Sequence, residues 1–539
     1  MRTILRSILN SALLMAICAL HGCDTKNDQD ERPNVLLIVA DDMNYDSPGF
    51  AGGVAPDVTP NLDRLAEESF YFENAFVTVS VCQPSRQSML SGLIPNHYGS
   101  GGFFPMAEGT VTLPLLLGEE GYLTGVIHKK HHHLPVESFN WDYTNEELGL
   151  TAPDGVVGRD PEMVADALRR FIETADDQEK PFFMVVNSAD PHRPFHGDPP
   201  QIGIPFWGDE EVQIKEPSRI YGPEEVTVPP TLPDIPGIRE DLAKYASSVR
   251  RLDDMAGACL KVLDELNKRG STLVIFVSDN GIPMAFGKFD CYLGSNRTPM
   301  LIRWPDRWQV TRRDSEHLIY LMDITPTVLE LVGLPIPSPM DGKSLLPLLE
   351  DDDTAEPWRE SIVFIRNQDI FYGDAIRNIL KRDPDYTKKN LEATGWEYNP
   401  AHEVDCTYTR QKEMRTYYDG KYGYIYNNCY REDGLEIGPL GAIVPYNGAT
   451  MRAMNEAAAT DVSVRERYSF FLLRDREELY DSSEDPGSLH NLAGDPDYKE
   501  VLSEARAGLL YWMKSNHDPL TKVYQDLVIL SKNSPSINK

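Results

Sequence analysis

Three unbroken apolar runs, each ending in a polar cluster, constrain this chain more than any other feature. Asn34-Val-Leu-Leu-Ile-Val-Ala40 runs into Asp41-Asp42, Phe182-Phe-Met-Val-Val-Asn187 leads to Asp190-Pro-His192, and Leu273-Val-Ile-Phe-Val277 stops at Ser278-Asp-Asn-Gly281. Runs of this kind are strands of a parallel sheet buried on both faces. Met300-Leu-Ile-Arg-Trp304 reads as a fourth strand. Between them, residues 59–68 have a capping Thr59, Pro60 at the first helical position and helical apolar spacing, and residues 243–266 repeat that spacing. Strands alternating with helices predict an α/β fold with a large, mainly parallel central sheet flanked by helices. Ligand sites in such sheets lie beyond the carboxyl ends of the strands. All three polar clusters sit there.

The character changes after about residue 385. Tyr417-Tyr-Asp-Gly-Lys-Tyr-Gly-Tyr-Ile-Tyr426 reads as a hairpin turning at Asp419-Gly420, Glu478-Leu-Tyr-Asp481 as a further strand, and residues 498–514 as a helix. Residues 34–385 are therefore expected to form the main domain, and residues 386–539 a smaller C-terminal α+β domain with a short antiparallel sheet. The Pro-rich stretch 223–236 is expected to be a loop wrapping the first domain.

The amino terminus reads as an export signal. Arg2 and Arg6 precede a short apolar stretch, 8–20, that is too brief for a membrane span. Leu20-His21-Gly22-Cys23 is similar to a bacterial lipobox, so Cys23 is a candidate for lipidation after removal of residues 1–22, with 23–33 as a flexible tether. The expected location is the periplasm or cell surface, with contact to the membrane only through that lipid. Of the other cysteines, Cys406 and Cys429 are candidates either to pair or to remain free buried thiols, and no zinc spacing occurs. The 539-residue chain carries 52 Lys+Arg against 84 Asp+Glu, a net charge of −32, which argues against a nucleic-acid partner. If the substrate is itself an anion, cations must be gathered locally at the site.

Asp41, Asp42, Asp279 and Asn280 offer only oxygen ligands, the donor set of a hard cation, Ca²⁺ or Mg²⁺, rather than zinc. The segment Cys82-Gln-Pro-Ser-Arg86 places a cysteine beside Pro and Arg in a stretch too polar for an ordinary core. It resembles the Cys-X-Pro-Ser-Arg motif of the type I sulfatases, in which the cysteine is oxidised to formylglycine by a dedicated maturation enzyme. Further segments carry the resemblance over nearly the whole mature chain. These are 34–42, Thr59-Pro-Asn-Leu-Asp63, Asp190-Pro-His-Arg-Pro194, Ser278-Asp-Asn-Gly281 and His128-Lys-Lys-His131, where the family has Gly at the first position. Within the family, Ser278–Pro283, Ser344-Leu-Leu-Pro347, Asn491-Leu-Ala493 and His517-Asp-Pro519 are most similar to the heparan N-sulfatase (sulfamidase) branch, although Lys288 stands where that branch has Arg.

The resemblance implies an alkaline-phosphatase-like sandwich and a sulfate-ester or sulfamate hydrolase. One Ca²⁺, in preference to Mg²⁺, would be held by Asp41, Asp42, the modified Cys82, Asp279 and Asn280. The hydrated aldehyde at position 82 would attack sulfur with one hydroxyl and expel sulfate through the other, splitting one hard step into two. Arg86 and Lys129 would stabilise charge, His131 would act as base, His192 as acid on the leaving group, and Lys288 would touch sulfate. The expected substrate is a sulfated oligosaccharide or polysaccharide, either heparan-like N-sulfoglucosamine or an algal O-sulfated glycan such as ulvan. Two other readings are a phosphate-ester hydrolase of the alkaline-phosphatase superfamily and a catalytically inactive glycan-binding lipoprotein. Arg193 and Arg303 are further candidates to meet acidic groups of a substrate.

Overall fold

The computed structural model describes residues 32–103, 105–198, 214–309, 311–350, 358–367, 413–428, 448–472 and 474–530. The signal-like segment, Cys23, Cys406 and Cys429 lie outside the described residues. The strands of the larger part are β1 (Asn34–Ala40), β2 (Phe70–Phe72), β3 (Ala75–Phe76), β4 (Leu123–Ile127), β5 (Phe182–Asn187), β6 (Thr272–Ser278), β7 (Arg297–Thr298), β8 (Met300–Arg303), β9 (Arg312–Asp314) and β10 (Ile319–Tyr320). They are followed by β11 (Ile362–Arg366), β12 (Met414–Tyr418), β13 (Tyr422–Asn427) and β14 (Glu477–Asp481).

The main sheet has seven strands in the order β4-β5-β1-β6-β8-β2-β9. Strands β4, β5, β1 and β6 run parallel. The 300–303 strand is present, but it pairs antiparallel with both β6 and β2. The alternation along β1 explains why its run is wholly apolar. Leu36 and Ile38 pack into one hydrophobic layer, Val35, Leu37 and Val39 into the other. The first layer is covered by α3 (Pro161–Asp177) and α4 (Pro236–Glu265), the second by α2 (Cys82–Ser91) and the helix Ile324–Leu331. The β4 strand escaped the sequence reading because Gly125 interrupts its apolar run. A Cβ there would lie 2.7 Å from both Phe171 and Met184, so only glycine lets α3 approach this closely.

Two helix starts differ from expectation. The α4 helix begins at Pro236, inside the stretch taken for a loop, because proline at the first helical position costs no hydrogen bond. In α1 (Pro60–Ala66), Thr59 makes no side-chain cap. Its hydroxyl instead accepts from Gly49 N at 2.7 Å and donates to Asp63. The free N–H groups of Asn61 and Leu62 are met by Asp253 of α4, at 3.1 and 2.8 Å.

The second sheet is antiparallel, β11-β12-β13-β14, with β12 and β13 forming the hairpin at Asp419-Gly420. Gly420 has φ 94°, and Asp419 accepts from the N–H groups of Lys421 and Tyr422, which shapes the turn. The sheet's first strand, β11, lies upstream of residue 386. The helix Lys499–Ser515 packs against β12 and β13. No helix among the described residues is long and apolar enough to cross a membrane.

Candidate active site

Parallel register delivers the polar clusters to one edge. Ala40 pairs with Ser278, Val39 with Asn187, and Ile127 with Val186, so the segments after β1, β5, β6 and β4 leave the sheet side by side. Cys82 reaches the same place from α2, where it is the first helical residue after Val81. All ten residues of α2 are buried, charged and amide side chains included. A helix this polar is buried only if its groups find partners.

Arg86 meets two acids and an amide. Its guanidinium reaches Asp279 Oδ2 through Nε at 3.0 Å and Nη2 at 2.7 Å, touches Asn187 Oδ1, and stands 3.8 Å from Asp41. Asn187 in turn donates to the carbonyls of Ile127 and His128. Asn187 was not singled out from the sequence, although a polar residue ending an apolar strand is the same signal that Asp41 and Asp279 carry. Lys288 Nζ lies 2.8 Å from Cys82 Sγ and 2.6 Å from Asp42 Oδ1, and Lys129 Nζ 2.5 Å from Asp41 Oδ2. Three buried carboxylates thus face three buried cations, and the local concentration of positive charge expected in so acidic a chain is found here.

The ligand atoms of Asp41, Asp42, Cys82 and His192 all lie within 4.8 Å of one another. Asp279 and Asn280 adjoin them: Asp279 Oδ1 accepts from Asp42 N at 3.0 Å, and Asn280 Nδ2 donates to Asp42 Oδ1 at 2.8 Å. Among the described residues, the buried acceptors Asp41 Oδ1 and Oδ2, Asp42 Oδ2 and Asn280 Oδ1 receive no hydrogen bond, although Asp41 Oδ2 is ion-paired with Lys129. Buried oxygen acceptors left without donors, in an oxygen-rich set, fit a hard divalent cation. His192 is a member of this group that the expected ligand set did not include, since its Nε2 stands 3.8 Å from Asp42 Oδ2.

Burial sets the charge states here. It opposes ionisation of Asp41, but Lys129, His192, Lys288 and Arg86 outweigh it and hold that carboxyl well below its usual range. Burial raises Asp42 despite Lys288, and pushes the Cys82 thiol up to about 12. His192 is kept well below the ordinary imidazole value by burial and then by Lys288. Its Nδ1 faces the carbonyl of Arg193, which can only accept, so Nδ1 carries the proton and Nε2 points to the group around Asp42.

His131 follows Lys129 in a short turn, Lys130–His132, its ring 4.3 Å from that of His132 and 6.4 Å from that of His128. His128, in place of the family's glycine, adopts the left-handed conformation that glycine favours, φ 59°, as does Lys129 at 58°. Arg193 and Arg303 are not poised for substrate. Arg193 is buried against Asp241. Arg303, at the end of an antiparallel strand, emerges at the opposite edge of the sheet near Glu68.

A cysteine at a buried helix N-terminus, among clustered carboxylates and cations on the carboxyl edge of a mainly parallel sheet, is an arrangement suited to the hydrolysis of anionic esters. The chain belongs to the sulfatase family, whose sequence profile it matches over residues 33–334. It is 32% identical to human N-sulphoglucosamine sulphohydrolase over 508 residues, covering 90% of this chain and 91% of that one. It is 23% identical to an ulvan-active sulfatase of Formosa agariphila, covering 92% and 77%. Among solved structures, the phosphonate monoester hydrolase of Agrobacterium radiobacter superposes with a TM-score of 0.60 at 18% identity, covering 90% of this chain and 96% of that one. A protein solved with its substrate D-glucosamine-2-N,6-O-disulfate gives 0.57 at 18% identity, covering 90% and 99%. The enzyme is therefore a sulfatase, a hydrolase of sulfuric esters or sulfamates, on the fold shared by these structures.

Proposed function

We propose that this sulfatase desulfates a sulfated glycan outside the cytoplasm, using a formylglycine made from Cys82 and a Ca²⁺ beside it. The observation that carries the reading is the position of Cys82: first residue of a buried helix, its sulfur grouped with Asp41, Asp42 and His192 and 2.8 Å from an ammonium. Asp41, Asp42, Asp279, Asn280 and residue 82 would hold the cation, which when bound would polarise a sulfate oxygen. The hydrated aldehyde would supply both the nucleophilic oxygen and the hydroxyl through which sulfate leaves.

The chain's own residues bind and move protons. Lys288 and Lys129 screen the charge of a sulfate group seated over residue 82, and Arg86 holds Asp279 in place beneath it. His192 presents Nε2 toward the group as proton donor to the departing oxygen or nitrogen, a role that needs the added charge of a bound sulfate to bring the ring to its protonated form. His131 serves as base when sulfate is released. The glycan assignment is supported by relatives named for N-sulphoglucosamine and for ulvan. N-sulfoglucosamine units of a heparin-like polymer are the first choice and algal O-sulfated glycans the second. The smaller C-terminal domain helps shape the pocket. Its stretch 402–430, rich in Tyr and charge, supplies candidates for substrate contact, of which 413–428 fall within the described residues. A lipid on Cys23 and a maturation enzyme acting on the Cys82 segment complete the proposal.

The test is sulfate release from defined N- and O-sulfated oligosaccharides by enzyme made in a host that matures sulfatases, with aryl sulfate and aryl phosphate run in parallel. Mass spectrometry of the Cys82 peptide accompanies it. Release of sulfate by protein carrying the aldehyde supports the reading. An unmodified thiol in protein from the native host, or a strong preference for phosphate, would overturn it.

A further inference from the structure

One face of α4 carries four polar side chains that all reach toward the edge bearing the active site. Asp241, Tyr245, Ser248 and Arg251 lie within about 120° of one another around the helix at 100° per residue. Each is almost wholly buried. Asp241 takes Arg193 in a two-point ion pair, with Nη1 at 2.9 Å from Oδ1 and Nη2 on Oδ2, and also accepts from Thr450 at 2.6 Å. Tyr245 OH accepts from Asn44 N at 2.9 Å, two residues after Asp42. Ser248 accepts from His196 N at 2.8 Å. Arg251 reaches both oxygens of Asp190, at 2.6 and 2.9 Å. Asp190 also takes Arg159 Nε at 3.1 Å, while Arg159 Nη2 donates to the carbonyl of His192 at 2.8 Å.

The segment 190–196 is therefore gripped on both sides of His192. The bond that orients the imidazole runs from Nδ1 to the carbonyl of Arg193, the residue that Asp241 clamps. We propose that Asp241 is a positioning residue for proton donation. By fixing Arg193, it fixes the carbonyl that accepts from Nδ1 and so sets the direction in which Nε2 of the protonated ring presents its proton, with the Arg251–Asp190 pair holding the other flank. This rests on the reading of His192 as the acid. Burying two charges on one side and three on the other is costly unless the geometry is good. Here that cost is offset by a ring held within hydrogen-bond tolerance of its target, which general acid catalysis requires.

A donor matters most when the leaving group is poor. The test compares Asp241→Asn, His192→Gln and the parent, all matured, on 4-nitrophenyl sulfate, on phenyl sulfate and on glucosamine N-sulfate. Asp241→Asn is expected to lower kcat on the two poor leaving groups by about 10- to 100-fold, part of what a general acid supplies, with little loss on the nitrophenyl ester and KM nearly unchanged. Asp241→Glu, which restores the charge, is expected to recover part of the loss and stands in if the amide variant fails to fold. A uniform loss across all three substrates, or none, from a folded Asp241 variant overturns the inference. If His192→Gln itself shows no dependence on the leaving group, the role of His192 fails first. If it shows that dependence while Asp241→Asn does not, only the positioning inference falls.

Discussion

Lys288 joins Cys82 to Asp42: its ammonium is 2.8 Å from the sulfur and 2.6 Å from a carboxylate oxygen, with all three residues buried. The lysine is held in place from behind, since its N–H donates to Ile282 O and the next residue, Phe289, donates to Ser80 O, two positions before Cys82. Removing the charge strands Asp42 in a buried site. Lys288→Met is therefore expected to cost about 3–5 kcal/mol of stability and about 100- to 1,000-fold in kcat. Lys288→Arg keeps the charge but not the compact head group, so it should recover much of the stability and less of the activity. Urea denaturation beside steady-state kinetics reads both. Wild-type stability in Lys288→Met would show that the pair carries no such energy.

Removal of the cation should be visible without any substrate. Asp42 Oδ2 and Asn280 Oδ1 are buried acceptors with no donor among the described residues, so an ion that satisfies them binds the folded state alone. At a hundredfold excess over its dissociation constant such an ion adds about 2.7 kcal/mol to stability. Protein treated with EGTA should melt at a lower temperature and regain its melting point with Ca²⁺ more fully than with Mg²⁺. Equal melting curves with and without Ca²⁺ would remove the cation from the account.

His133 makes an acid-sensitive contact in the core. It is buried, stacked on Phe139 at 4.8 Å, and its Nδ1 accepts from Trp141 Nε1 at 3.2 Å. Burial, then Arg86 and His131, keep this imidazole well below its usual value. A histidine depressed in the folded state takes up its proton more readily when unfolded, so the stability it permits is full above about pH 6.5 and drains away as pH falls below that. The slope is at most about 1.4 kcal/mol per pH unit for one group. His133→Gln should flatten the fall in stability between pH 6.5 and 5.5, measured by urea titration at several pH values. An unchanged slope would assign the acid sensitivity elsewhere.

Much of this site was legible because its signals are local. Asp41, Asp42, Asp279 and Asn280 each follow an apolar run, and a strand's carboxyl end is where such residues gather. Cys82 and Arg86 lie within one short motif. What could not be read were the residues whose roles exist only across the fold. Asp241, Arg251 and Asp253 look like the solvated charges of any long helix, and nothing in α4's own sequence distinguishes a buried charged face from an exposed one. Arg303 shows the converse: an arginine on a core strand was a fair candidate for substrate until the antiparallel direction of β8 put it at the far edge.

The Asp253 cap offers a test of that tertiary layer separate from catalysis. Asp253 is buried, and its carboxylate receives Asn61 N, Leu62 N and Asn61 Nδ2 at 3.1, 2.8 and 2.8 Å. It does for α1 what Thr59, engaged with Gly49 and Asp63, does not. Asp253→Ala would leave two backbone donors and an amide without their acceptor, and each buried group so stranded costs about 1–3 kcal/mol. The expected result is a loss of about 2–4 kcal/mol in urea denaturation, with the folded fraction keeping its turnover number because α1 holds no residue of the site. Thr59→Val probes the other half of the arrangement: it removes the hydroxyl's bonds to Gly49 and Asp63 but leaves the Asp253 cap intact, so it should cost less than Asp253→Ala. If the valine variant proved the less stable of the two, the helix would owe its start to Thr59 after all, and Asp253 would be a bystander.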